Sequence, residues 1–315
     1  MKAVAVADPQ GQKGHRFKER DITTRKVLFA TDFSAACENA WPYALSLSRL
    51  YSSKVFLVHV IAPGRFASVP PELLDEAKRR ARLNAENEMK RLQQLHGGTA
   101  GLDLEISIME GDITEVLLRF EEARNVDLLV AGTRGRRNLD RLLLGSVAEK
   151  IFRQSRCPVL IVPEGVRFGH AEPVHRILYP TNFSRESSDA GSYAMSLARH
   201  FEAQLIFAHV LKDVDFKSQE KLSRDGVEAL HRLHDLFPTK ADFAGLHFEV
   251  AFGEPARNIS RIAAEYDVDL IVVGVHPADA TVAHEEERTA YRVILSALCP
   301  VLAVPKFHQG ADDEQ

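Results

Sequence analysis

The stretch Val126-Asp127-Leu128-Leu129-Val130-Ala131-Gly132-Thr133-Arg134-Gly135, followed after nine residues by Gly145-Ser146, decides the fold. Its opening six residues are nearly all apolar, as a strand covered on both faces must be, and such strands belong to parallel sheets. The strand then runs into glycines and a helix start. That order is a phosphate-binding arrangement: glycines let backbone N–H groups approach an anion, and a helix N-terminus adds partial positive charge.

Working outward, the chain repeats itself. Residues 25 to 62 and 175 to 212 align at a constant offset of 150, with Thr31-Asp32-Phe33-Ser34 matching Thr181-Asn182-Phe183-Ser184 and His59-Val60 matching His209-Val210. Further on the offset is 142, where Val126-Asp127-Leu128 matches Val268-Asp269-Leu270 and Cys157-Pro158-Val159-Leu160 matches Cys299-Pro300-Val301-Leu302. The fall from 150 to 142 means the second copy has lost 8 residues between its second and third strands. A period this long marks a duplicated domain, because solenoid units repeat every ~20–50 residues. The chain divides into a tail over 1–23, a domain over 24–163, a linker over 164–174, a second domain over 175–306 and a tail over 307–315.

Strands and helices alternate within each copy. In the first, Val27 to Ala30 and Val55 to Val60 are strands, separated by a helix that Ser34 caps and whose Ala40, Ala44, Leu47 and Leu50 keep helical spacing. Pro71 opens a long helix that Gly97-Gly98 ends, and Leu104 to Met109 is the third strand. A helix over 112–123, a fourth strand over 127–131, a last helix capped by Ser146 and a fifth strand over 158–162 complete the copy. This alternation is α/β: a parallel sheet with right-handed crossovers and helices on both faces.

Composition sets limits on function. The 315 residues suffice for two domains of roughly 150. With 45% hydrophobic and 27% charged residues they can fill two cores, and a net charge of −4 disfavours nucleic acid as partner. Three cysteines give no disulfide framework and fit a reducing cytoplasm as small buried thiols. The first twenty residues lack the apolar stretch of a secretory signal, and no run approaches the roughly 20 residues of a spanning helix, so no membrane is expected.

Thr31-Asp32-Phe33-Ser34 and His59-Val60 at strand ends, with Gly132-x2-Gly135-x9-Gly145-Ser146 before Pro158-Val159-Leu160-Ile161-Val162-Pro163, resemble the universal stress protein family. The resemblance covers about 24 to 306 in tandem. It implies two five-stranded parallel-sheet domains, Rossmann-like and similar to adenine nucleotide alpha hydrolases. These would pair through their last strands into an intrachain pseudo-dimer, with a homodimer of whole chains left open. Prolines flank both fifth strands, whose mutual pairing would cover an exposed edge.

The resemblance also implies ATP, with Mg2+, as ligand wherever the glycine pattern is intact. Asp32 would then lie by the nucleoside, or help hold Mg2+, and Val60 would offer backbone groups to the adenine. Gly132 and Gly135 would border ribose and phosphates. Gly145, Ser146 and Val147 would hold the phosphates through N–H groups and the Ser146 hydroxyl. Ligands at the carboxyl ends of strands, at the switch point of a sheet, are expected on independent grounds. Arg134, Arg136, Arg137 and Arg141 make the loop basic, which suits a triphosphate, and Arg134 between the glycines is the candidate contact.

The second copy departs from the pattern. Gly274 survives, but His276 stands for Arg134, Pro277 for Gly135, Glu287-Arg288 for Gly145-Ser146 and Asn182 for Asp32. A carboxylate at a phosphate-contacting turn repels the ligand, so one nucleotide site, in the first domain, is expected.

Other chemistry is weak. Neither Gly-x4-Gly-Lys-Ser/Thr nor a strand followed by Gly-x-Gly-x-x-Gly occurs. His59 and His209, at strand ends, read as hydrogen-bonded to backbone, and His231 and His234 beside Asp235 as a solvated helix face, so no catalytic or metal residue is singled out. The sequence thus reads as a cytoplasmic, ATP-binding stress-response or regulatory protein with an unidentified protein partner. Its turnover would be slow hydrolysis or autophosphorylation at most. The alternatives are a scaffold that uses no nucleotide and a slow ATP hydrolase.

Overall fold

A computed structural model describes residues 22–95, 98–133, 144–166, 174–212, 218–236, 245–275 and 285–305. Residues 1–21 and 307–315 of the tails, and most of the linker, lie outside these. The first domain runs β1 (Lys26–Ala30), α1 (Ala35–Tyr51), β2 (Lys54–Ile61), two 3-10 turns (Pro63–Phe66 and Pro71–Leu73), α2 (Leu74–Gln94), β3 (Asp103–Glu110), α3 (Ile113–Arg124), β4 (Leu128–Gly132), α4 (Ser146–Gln154) and β5 (Val159–Val162). The second runs β6 (Arg176–Pro180), α5 (Arg185–His200), β7 (Gln204–Leu211), α6 (Gln219–Asp235), β8 (Leu246–Phe252), α7 (Pro255–Glu265), β9 (Leu270–Val275), α8 (Glu285–Ser296) and β10 (Val301–Pro305). Pro71 opens a 3-10 turn, and the long helix starts only at Leu74.

The ten strands among the described residues join one sheet, in the order β3-β2-β1-β4-β5-β10-β9-β6-β7-β8. Every neighbouring pair is parallel except β5 and β10, which run antiparallel with Leu160 opposite Leu302. The two expected five-stranded sheets are therefore halves of a single one. β5 and β10, which would otherwise be the exposed edges of the halves, are fully buried.

A core lies on each face, and each passes from one domain into the other. One contains Trp41 from α1, Leu160, Leu302 and Tyr193 from α5; the opposite one contains Ile151 from α4, Ile161, Val301 and Val293 from α8. Among the described residues no helix is long and apolar enough to cross a membrane.

Repeated polar residues fix the start of each β1-like strand. Asp127 Oδ2 accepts the N–H groups of Arg25 and Lys26, both at 2.9 Å, and Asp269 Oδ2 accepts those of His175 and Arg176, both at 2.8 Å. These carboxylates tie the strand entering the sheet to the turn before β4 or β9. They account for the Asp repeated in each copy by its part in the fold.

Candidate functional site

In the first domain the strand order reverses between β1 and β4, and the chain leaves the carboxyl ends of these strands in opposite directions. A cavity of about 460 Å³ opens there. Its walls come from the ends of β1, β2 and β4, from α3 and from the first turns of α4. β1 ends its pairing with β2 at Ala30–Val58, while β2 continues alongside β3 to Ile61. Beyond Val58 the edge of β2 that faced β1 is thus no longer covered by that strand, and Val60 lies on this stretch.

Of the residues singled out in the sequence, Asp32, Val60, Gly132, Gly145, Ser146 and Val147 all line this one cavity. Arg134 and Gly135 lie outside the described residues, as do Arg136, Arg137 and Arg141.

The Thr-Asp-Phe-Ser motif proves to be a helix-entry turn. Phe33 has φ of 61°, in the left-handed region that a bulky residue rarely adopts. Three hydrogen bonds hold it: Thr31 Oγ1 accepts from Phe33 N at 3.0 Å, Asp32 Oδ1 from Ser34 N at 3.0 Å, and Ser34 Oγ from Cys37 N at 3.4 Å as the expected N-cap. The Phe33 ring packs on His59 at 4.5 Å, and His59 Nδ1 bonds the Thr31 carbonyl oxygen at 2.8 Å. The second domain repeats the turn with Phe183 at φ 63°, Asn182 Oδ1 accepting from Ser184 N and His209 Nδ1 on the Thr181 carbonyl. Asn182 therefore preserves the turn and discards the charge.

Cys37 is a cavity residue that sequence reading missed. Its Sγ is 3.2 Å from Asp32 Oδ1. Burial, and then the Asp32 charge, push the thiol up to about 11, so it stays protonated and can donate to the carboxylate. Only the positional spacing of Asp32 and Cys37 across the cap could have signalled this contact.

Gly132 has a packing reason for being glycine. A Cβ there would stand 2.7 Å from the backbone carbonyl carbon of Ala36 and 2.9 Å from its Cβ. The first turn of α1 is thereby seated directly on β4, which fixes Asp32 over the cavity.

The start of α4 differs from expectation. Gly145, with φ −59° and ψ 142°, is the N-cap, and Ser146 is the first helical residue and makes no side-chain cap. The reason is backbone bonding: Gly145 N–H donates to the Thr133 carbonyl at 2.8 Å, and its own carbonyl accepts from Glu149 N at 2.9 Å. The helix begins at that bond, so the N–H groups of Ser146, Val147 and Ala148 precede the first intrahelical acceptor. These, with the helix dipole, form the anion-favouring end of the cavity. Glu149 also lines the wall, with Arg153 Nε 3.2 Å from its carboxylate.

Tyr291, from α8 of the second domain, lines the same cavity. Nothing in the repeat pattern places it there, since it arrives through the antiparallel joining of the halves.

The equivalent cavity in the second domain measures only about 100 Å³ and is bounded by Pro180, Asn182 and Ser187 where the first has Ala30, Asp32 and Cys37. His276 and Pro277 lie outside the described residues, and the side chain of Glu287 is likewise not described.

A sequence model of the universal stress protein family matches residues 23–163 and again 173–305. A universal stress protein of Mycolicibacterium smegmatis is 26% identical over 301 residues, which is 90% of this chain and 98% of that protein. One of Methanocaldococcus jannaschii is 28% identical over 142 residues, 44% of this chain and 81% of its own length. Among solved structures, a universal stress protein from Archaeoglobus fulgidus superposes with a TM-score of 0.62 at 18% identity, covering 91% of this chain and all (100%) of that one, and so shares the fold.

Two outcomes follow from this geometry. Gly132→Ala should lower stability by about 1–3 kcal/mol, because the Ala36 backbone cannot move without lifting α1; an unchanged urea midpoint would contradict the close contact. At alkaline pH the unfolded Cys37 thiol ionises near about 8.5, while the folded one holds its proton to about 11. Its stabilising contribution is complete below the unfolded value and is lost as pH rises through the folded one. Urea titrations from pH 8 to 11 should therefore show a shallower decline for Cys37→Ser than for the wild type.

Proposed function

Because the chain belongs to the universal stress protein family and carries its domain twice, we propose that it is a nucleotide-dependent regulatory protein that holds one adenine nucleotide, ATP with Mg2+, in its first domain. The observation that carries this reading is the inequality of the twin cavities. The first, at about 460 Å³, lies within the ~300–1,000 Å³ range of small-molecule sites. The second, at about 100 Å³, lies well below it.

The residues present fit such a ligand. Asp32 takes the nucleoside hydroxyls, and the uncovered backbone of β2 at Val60 takes the adenine edge. Gly132 forms the floor beneath the ribose, and the N–H groups of Ser146 and Val147 at the start of α4 take the phosphates. Gly145 sets the turn into the phosphate end, and the sequence pattern assigns Arg134 and Gly135, outside the described residues, to the same ligand. Pairing with Arg153 offsets the Glu149 charge, which would otherwise oppose a phosphate.

Binding, with little turnover, is the act these residues support. No histidine, lysine or arginine occurs among the described cavity residues. His59 is turned to the Thr31 carbonyl. The Cys37 thiol is held protonated. General-base assistance is left to the carboxylates of Asp32 and Glu149, which Ser34 N–H and Arg153 engage, so slow hydrolysis or modification of Ser146 sets the upper limit. The protein acts in the cytoplasm, where Cys37, Cys157 and Cys299 stay reduced, and passes nucleotide occupancy to a protein partner.

Thermal melting with Mg·ATP tests the reading. A ligand at a hundred times its Kd adds about 2.7 kcal/mol, so Tm should rise by several degrees while phosphate release stays negligible. Gly145→Glu, which installs the residue found at that place in the second copy, should abolish the shift. Its φ of −59° puts no left-handed strain on the new side chain, and Tm without nucleotide checks that the variant folds. An absent shift in the wild type would leave a scaffold in front, and brisk phosphate release an enzyme.

A further inference from the structure

The second domain contributes to the cavity of the first. Since β5 and β10 pair antiparallel and each follows its own helix, α4 and α8 come together on one face of the sheet. Positions 149 and 291 are equivalent in the two copies, at the offset of 142, but carry Glu and Tyr.

Tyr291 reaches across the junction. Its ring centroid is 6.5 Å from that of Phe152, and the Arg153 guanidinium carbon lies 5.5 Å from the ring centre. Arg153 is itself paired with Glu149, so one cation braces both the phenol and the carboxylate. The ring thus forms wall beside Ser146, Val147 and Glu149, at the end of the cavity where α4 begins. Burial, and then the Glu149 charge, raise the phenol pKa, and the protonated hydroxyl hydrogen-bonds the Glu149 carboxylate, which holds it at the start of α4. The relation is one-sided: the described residues that bound the smaller cavity all belong to the second domain.

We propose that Tyr291 is a ligand-contacting residue supplied by the second domain. Its hydroxyl exchanges the Glu149 carboxylate for the phosphate end of the nucleotide in the first domain, and occupancy is thereby felt by α8. This inference rests on the nucleotide reading of the cavity. It gives the second domain a task that needs no ligand of its own: it closes the working site and carries its state to a surface outside it. A phenol suits this, being neutral, a donor, and rigid once stacked under Arg153.

The test uses the full-length chain, wild type and Tyr291→Phe, a change that keeps the ring and removes only the hydroxyl. Calorimetric titration with Mg·ATP and hydrogen exchange of the 285–296 segment are measured on both. The expected result is about a tenfold loss of affinity in Tyr291→Phe, the size of one hydrogen bond to a charged group. Tm without nucleotide should change little, because the hydrogen bond lost to Glu149 lies near the surface, and nucleotide-induced protection of α8 should appear in the wild type and weaken in the variant. Equal affinities would overturn the inference while leaving the nucleotide site standing. No binding by the wild type would overturn the nucleotide reading itself, and this inference with it.

Discussion

The antiparallel pairing of β5 with β10 is the contact on which the rest of this molecule depends. Each domain alone would end in an apolar strand, Val159–Val162 or Val301–Pro305, with one edge open to water. Placing Leu160 opposite Leu302 closes both edges at once and lets each core continue into the other half. Because the pairing is antiparallel, it relates the halves by an approximate twofold axis. Each α4-like helix therefore meets its counterpart and not a helix of another kind. The first-domain cavity borders this junction, so the junction determines part of its wall.

Duplication separated two jobs that a single site usually combines. The turn chemistry was kept in both copies: a Thr hydroxyl, an Asp or Asn oxygen and a Ser cap hold a phenylalanine at positive φ, and a histidine bonds the carbonyl at the strand end. These bonds secure the entry into α1 and α5 and so serve the fold wherever they occur. What differs is space and charge. Asn182 gives up the carboxylate, Pro180 stands where the first domain has Ala30, and the cavity falls from about 460 to about 100 Å³. The motif is a scaffold first, and a site only where the space around it is open.

Much of this was legible in the sequence because the physics is local. Apolar runs bounded by glycine and proline gave the strands, and Ser34 gave a cap that the structure keeps. Constant offsets revealed two domains, and the family resemblance, with the prolines flanking both fifth strands in support, implied their pairing. What escaped depends on contacts between distant residues. Whether Gly145 or Ser146 caps α4 is decided by a bond to Thr133, which the sequence does not display. Gly132 reads as room for a ligand, yet the space beside it is filled by Ala36. Cys37 looks like an ordinary core thiol until the turn brings it to Asp32. Tyr291 lies in the other copy and enters the cavity only after the halves join.

The central claim is that two homologous cavities in one chain have unequal capacity for a nucleotide. Stoichiometry tests it most directly: native mass spectrometry of the full-length chain across a Mg·ATP titration, counting nucleotides retained per chain. The account predicts saturation at one, with no second adduct as the concentration rises. Two adducts per chain would contradict the asymmetry, and none would contradict the nucleotide site.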